Sequence, residues 1–368
     1  MASGASRRTK APAPPFLTTL SEDGILFRMP DRTHEAQDVR LWLDLRHDRE
    51  PAAMNRVAAG WELDVARPPV QRLEYLYVVR FADGAEVMVC DSSNPQRTPT
   101  AFGDHSVLEF PGYRAPGWLD ETPPPGSCSE LVVRARGLRE PLAVTIWSPD
   151  RAGRRAELPL LLLHDGSEFD RLGAVTRFAA AMVAAKRLPP FRLALVGPGD
   201  RNESYSASLD YARAVKHVLL PAIRNAVSIS ESVAIAGVSL GALAALHAAS
   251  TEPGIANALF LQSGSFFRRD LDAQETSFVG FSAITAFVEQ LEAAVPVGEP
   301  LDIAMTAGLG EENLANNRVM AETLAALGHR ITLTEVPDAH TYVGWRDALD
   351  PHLVDLLAQA WEPRAGGG

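Results

Sequence analysis

Ser232-Val-Ala-Ile-Ala-Gly-Val-Ser-Leu-Gly-Ala-Leu-Ala-Ala-Leu-His-Ala-Ala-Ser250 decides the fold of this chain. Val233 and Ile235, with the small residues around them, form a short apolar run suited to a buried parallel strand. Gly237-Val-Ser239-Leu-Gly241 is a G-x-S-x-G pentapeptide. The segment from Leu240 to Ala248 is rich in Ala and Leu and has high helix propensity. Strand, pentapeptide and helix together describe a strained turn that presents a serine at the tip of a strand. Both glycines are needed where strand and helix cross, because a side chain there would collide with the other element.

Working outward, strands and helices alternate. Strands are expected at 130–135, 142–147, 159–163, 191–196, 258–262, 301–306 and 330–336. Helices are expected at 171–187, 209–227, 281–294, 314–327 and 346–360. Pro159-Leu-Leu-Leu-Leu163 is a continuous apolar run, as a strand covered on both faces requires. Such alternation predicts a mainly parallel sheet with helices on both faces, and with the strand–G-x-S-x-G–helix turn at Ser239 the expected fold is that of an α/β-hydrolase. Functional residues then belong at the carboxyl ends of the strands.

Ahead of this region the pattern is all-β. Val39, Leu41, Leu43 and Leu45 alternate with polar or exposed positions, and Asp83-Gly84 lies between two strand-like runs as a hairpin signal. The expected order is a disordered tail at 1–16, an immunoglobulin-like β-sandwich at 17–121, a Pro-rich linker at 122–127, a catalytic domain at 128–363 and a Gly-rich tail at 364–368. The sandwich carries no catalytic constellation and is expected to shape substrate entry only.

Composition narrows the function. The chain has 368 residues and a formal net charge of −11, which disfavours nucleic acid and anionic membrane as partners. Cys90 and Cys128 give neither metal spacing nor a disulfide framework and read as free thiols. No stretch approaches a membrane span, and residues 1–16 lack an apolar h-region, so a cytoplasmic location is expected.

A serine hydroxyl needs a general base. His340 follows the last expected strand directly; His217, His247 and His352 fall in helices, and His329 lies at the opposite end of the sheet. The third member should follow the penultimate strand, where Glu311 is preferred. Glu312, Asp338 and a Ser-His dyad remain open. The oxyanion hole is expected from the amide of Leu240 and from the Gly166 region of His164-Asp-Gly-Ser-Glu168. Arg201 and the Arg268-Arg269 pair follow strand tips and are candidates for binding an anionic substrate, with Phe266 and Phe267 alongside to stack on aromatic rings.

These motifs match a family. The second part resembles the Putative esterase family of α/β-hydrolases, and within it the enterochelin (ferric siderophore) esterases. The matching elements are His164-Asp-Gly166, Arg201-x-Glu203, Leu219-Leu-Pro-Ala222, Gly237–Gly241, Leu261-Gln-Ser-Gly-Ser265, Glu311 with Asn316-Asn-Arg318, and His340 with Trp345-Arg346. The first part resembles the amino-terminal domain of the same enzymes through Asp91-Ser-Ser-Asn-Pro-Gln-Arg97 and Ala101-Phe-Gly-Asp-His-Ser-Val-Leu108. The resemblance implies serine hydrolysis of esters without a catalytic metal or other cofactor, and a tri-catecholate lactone as substrate. Departures fall on substrate loops: Ser-Tyr-Ser after Glu203, Phe-Phe-Arg-Arg after Ser265, and Asp-Ala before His340. Acyl transfer, carbohydrate-ester hydrolysis, or binding by a vestigial hydrolase are the alternatives.

Overall fold

The computed structural model describes residues 16–45, 50–150, 152–296 and 299–362. The tails expected at 1–16 and 364–368 lie outside the described residues, Phe16 excepted.

Among the described residues the second part is built on one eight-stranded sheet. Its order is Ser127–Val133, Leu142–Ser148, Arg192–Val196, Leu158–His164, Ile229–Val238, Ala258–Gln262, Asp302–Gly308, Arg330–Val336. The first two strands pair antiparallel and the second also meets Arg192–Val196 antiparallel; all later pairings are parallel. Period-two alternation explains the apolar runs. Leu160 and Leu162 enter one core and Leu161 and Leu163 the other, on opposite faces of the sheet. In the neighbouring strand Val233 and Ile235 take the first core, while Ala234, Ala236 and Val238 take the second.

The helix Leu240–Thr251 follows this strand directly and is buried from Leu240 through Ala248. It is apolar on all sides, which suits a helix enclosed by protein. Its approach to the strand depends on glycine. A Cβ at Gly237 would lie 2.3 Å from the carbonyl carbon and oxygen of Gly241.

Several expected helices are divided. The segment 171–187 is Gly166–Gly173 and Val175–Ala184, separated at Ala174, which has φ +52°. The segment 209–227 stays helical but passes through a π turn at Val215–Leu219, just before Pro221, which lacks the N–H that an α-helical ladder needs. The closing helix is broken at Asp350, the residue before Pro351, leaving Tyr342–Asp347 and Val354–Trp361.

The first part is all-β, in two antiparallel sheets that share a core of Ile25, Phe27, Val39, Tyr75, Tyr77 and their neighbours. Its hairpin forms as read: Arg72–Phe81 pairs with Glu86–Val89, and Gly84 has φ +84°. Buried Asp91 accepts hydrogen bonds from Tyr75, at 2.8 Å, and from Tyr77 and Thr18. The Pro-rich segment after this part and the residue before it lie against the second part, with Trp147 Nε1 donating to Pro125 O at 2.8 Å and Arg177 donating to Glu121 O at 2.7 Å. Cys90 and Cys128 are free.

Gly237→Ala pushes a methyl group into backbone that cannot swing aside, so we expect a loss of at least about 2 kcal/mol in urea unfolding. Stability equal to the parent chain would show that strand and helix cross with more room than this.

Candidate active site

Ser239 occupies the residue between strand and helix, with φ +54° and ψ −123°. A non-glycine residue held there costs on the order of 1–3 kcal/mol, supplied by the packing around it. The conformation lifts the side chain off the sheet edge into a cavity of about 250 Å³, lined by Ser239, Leu240, Ser265, Phe267, Glu275, Phe278, Glu312, Asn313 and His340. The Ser239 hydroxyl lies 3.2 Å from that of Ser265.

His340 stands on the loop after the last strand, and its Nδ1 is 2.7 Å from Glu311 Oε2. Glu311 is buried, and its other oxygen accepts the Gly308 amide. With both oxygens engaged, the carboxylate holds Nδ1–H and leaves the Nε2 lone pair for a substrate or serine proton. Burial pulls the imidazole pKa down, but the hydrogen bond and charge of Glu311, with the charges of Glu312 and Asp44, outweigh it and raise it to about 9. The Trp345 ring meets the imidazole edge-on at 4.8 Å and anchors its own Nε1 on Ser263 Oγ at 2.9 Å. Of the candidate acids, Glu311 makes the 2.7 Å bond to the imidazole. Asp338 turns to the Ala339 amide and the Thr341 hydroxyl, and burial raises its pKa to about 7. Glu312 lines the cavity.

The two expected oxyanion donors open helices. Leu240 begins Leu240–Thr251 and lines the cavity; Gly166 begins Gly166–Gly173 and does not. First-turn amides lack intrahelical acceptors, so both can in principle face an anion. A Cβ at Gly166 would lie 2.4 Å from Leu195 Cα, so the position requires glycine for space. Beside it, buried His164 donates its Nδ1–H to Gly241 O, 3.0 Å away, and burial drives its pKa down to about 4 despite that bond. It is therefore neutral and pins the helix start to the adjacent strand.

The arginines are placed differently from the expectation of a free cationic cluster. Arg201 grips Asp165 with Nε and Nη2, at 3.0 and 2.7 Å. Arg268 pairs with Asp270 and Glu292, and Arg269 with Glu289. None of the three lines the cavity, because acids on the helix Phe281–Glu292 and on the strand-tip loop draw them away. Phe266 is fully buried and has no face for a ligand ring, whereas Phe267 lines the cavity.

Sequence reading gave no role to a buried amide network behind the site. Asn313 donates to Ser263 O at 3.1 Å. Asn317 donates to Gly264 O at 2.8 Å and accepts from Gly264 N at 3.0 Å. Asn316 donates to Asp272 at 3.1 Å. Three asparagines at the start of a helix are poor helix formers, and that was the available signal that their amides are used elsewhere. Ser265 was likewise visible only as part of a motif. Among the described residues no group of three or more His, Cys, Asp or Glu side chains is arranged to hold a metal ion.

A serine on a strained strand-to-helix turn, sharing a cavity with a carboxylate-held histidine at the carboxyl edge of a mainly parallel sheet, defines an α/β-hydrolase. The model of the esterase family described as "Putative esterase" matches residues 136–356, and the chain belongs to that family; it is a carboxylic ester hydrolase. The iron(III) enterobactin esterase of Escherichia coli K12 is 26% identical over 375 residues, covering 92% of this chain and 90% of that protein. The crystal structure of the enterobactin esterase from Shigella flexneri in the presence of enterobactin superposes with a TM-score of 0.72 at 22% identity, covering 93% of this chain and 95% of that one. That of the ferric enterobactin esterase from Salmonella typhimurium gives 0.71 at 22% identity, covering 91% and 93%.

A base held protonated up to about pH 9 leaves kcat/KM for a neutral ester rising with pH through the neutral range. Glu311→Gln removes the largest support of the imidazolium. It should move that acidic limb to lower pH while lowering the plateau by at least about tenfold, with Glu312→Gln shifting it less. A pH–rate profile decides; a limb unmoved by Glu311→Gln would contradict the assignment.

Proposed function

We propose that this chain is a serine esterase that opens the ester bonds of a catecholate siderophore through an acyl-enzyme. Ser239 Oγ attacks the ester carbonyl as His340 Nε2 takes its proton. The proton then passes to the departing alkoxide, and Ser239 is left acylated. Water repeats the sequence: it gives a proton to His340, its oxygen attacks the acyl carbon, and the proton returns to Ser239 as the acid leaves. Glu311 holds the imidazole, and the Leu240 amide, with one from the Gly166 region, receives the oxyanion. The observation that carries this reading is the 2.7 Å Glu311–His340 contact beside a serine held at φ +54° on one cavity.

The substrate class is supported by relatives described as acting on enterobactin, which match across both parts of the chain. In this reading residues 17–121 form an immunoglobulin-like sandwich and 128–363 the catalytic domain, joined at 122–127. The all-β core draws on residues from Ile25 to Phe110, and the eight-stranded sheet begins at Ser127, which favours that division. The carboxylates Glu275 and Glu312 on the cavity wall and the paired state of the arginines favour recognition through the ring-bearing and hydroxyl groups of the ligand, with Phe267 as an aromatic contact.

Incubation with ferric enterobactin, followed by mass spectrometry, should give linear and smaller serine esters in preference to products from feruloyl or acetyl esters. Ser239→Ala should lose all but about a thousandth of that turnover while keeping its melting temperature. Faster cleavage of feruloyl or acetyl esters would overturn the substrate class. Activity retained by Ser239→Ala would overturn the mechanism.

A further inference from the structure

The all-β part touches the second part at the two loops that carry the acid–base pair. Gln71 N donates to Pro337 O at 2.7 Å, three residues before His340. Gly310, one residue before Glu311, packs directly on it: a Cβ there would lie 2.6 Å from Val70 Cγ1 and 3.1 Å from Leu45 Cδ2. The two loops are also laced to each other. Leu309 N donates to Val336 O at 2.8 Å and Gly310 N to Asp338 O at 3.0 Å. A Cβ at Gly308 would lie 2.4 Å from that same Asp338 O. On the far side Tyr113 donates to Asp347 at 2.7 Å and accepts from Arg346. Asp44, next to Leu45, lies within electrostatic reach of the site: burial and Glu74 push its carboxyl pKa up, and His340 pulls it back.

The geometry points to a second role for the all-β part: Val70, Leu45 and the Gln71 amide are positioning residues that set the spacing between Glu311 and His340. The entry-shaping role expected from the sequence does not require this contact. A hydrogen bond to Pro337 and a hydrophobic stop against Gly310 fix the two loops from outside the sheet that bears them. Val70 is buried in the all-β core, so a displacement at Gly310 is resisted by that whole core and not by a free side chain. The Glu311–His340 bond, at 2.7 Å, has little tolerance for loop movement, and misplacing it costs rate without touching the cavity wall.

The inference rests on the reading of His340 and Glu311 as the acid–base pair. The test is a double-mutant cycle in the full chain, with kcat and KM measured on p-nitrophenyl acetate. Gly310→Ala drives a methyl group against Val70, and kcat should fall at least about tenfold with KM within about twofold of the parent. Adding Val70→Ala removes the nearest obstruction, leaving Leu45 Cδ2 and Asp338 O at 3.1 and 3.3 Å, and should return kcat to within about threefold of Val70→Ala alone. Should Gly310→Ala fail to fold, the comparison of Val70→Ala with Val39→Ala decides, since both delete the same groups from the same buried core. Only Val70→Ala should then lower kcat, by about threefold or more. An unchanged kcat in Gly310→Ala, a loss undiminished by Val70→Ala, or equal effects at Val70 and Val39 would each overturn the inference. Full activity in Ser239→Ala or Glu311→Gln would instead overturn the underlying reading, so the two failures are distinct.

Discussion

The close crossing of Gly237 and Gly241 is the constraint on which the rest depends. Strand and helix approach until the space of a single methyl group is gone. That proximity forces the three residues between the glycines into a turn whose middle residue has positive φ, and Ser239 is that residue. The packing that meets this cost is visible on both sides. The strand is apolar on both faces, the helix is buried from Leu240 through Ala248, and His164 ties the helix start to the neighbouring strand through Gly241 O. A strained nucleophile is affordable only because two cores hold its supports rigid.

The remaining chemistry comes to Ser239 through loops, not through the turn itself. Three successive strand tips supply Ser263 to Ser265, Gly308 to Asn313, and Pro337 to His340. Each loop is tied to the next by buried polar groups. Asn313 and Asn317 hold the Ser263-Gly264 backbone, Trp345 holds Ser263 Oγ, and Glu311 spans from Gly308 N to His340. Buried polar groups that satisfy one another specify a single arrangement, since each would be costly if left without its partner. The chain thereby fixes the imidazole's Nδ1 on Glu311 and places the ring on the same cavity as the Ser239 hydroxyl.

How much of this the sequence disclosed follows from which interactions are local. The turn was legible because strand, pentapeptide and helix are contiguous. His340 was legible because a position directly after the last strand is a topological address. Glu311, Glu312 and Asp338 were harder to rank: all three sit near the sheet edge, and only side-chain direction separates them. The ion pairs of Arg268 and Arg269 were not legible, because Glu292 and Glu289 lie some twenty residues further along the chain and meet them only in the folded state. The break at Asp350 obeys the local rule for a residue before proline, which a run of helix-forming residues obscured, whereas Ala174 at φ +52° goes against its local preference and is held there by the fold. The packing of Val70 on Gly310 joins residues 240 positions apart and left no trace in composition or period.

The central claim is that Ser239 is a nucleophile activated by His340. It is tested most directly by labelling the native chain with a fluorophosphonate and locating the adduct by peptide mass spectrometry. The account predicts a single adduct on Ser239, formed rapidly in the native chain and lost in His340→Ala. An adduct on another serine, or labelling of Ser239 that is as fast without His340 as with it, would contradict the account.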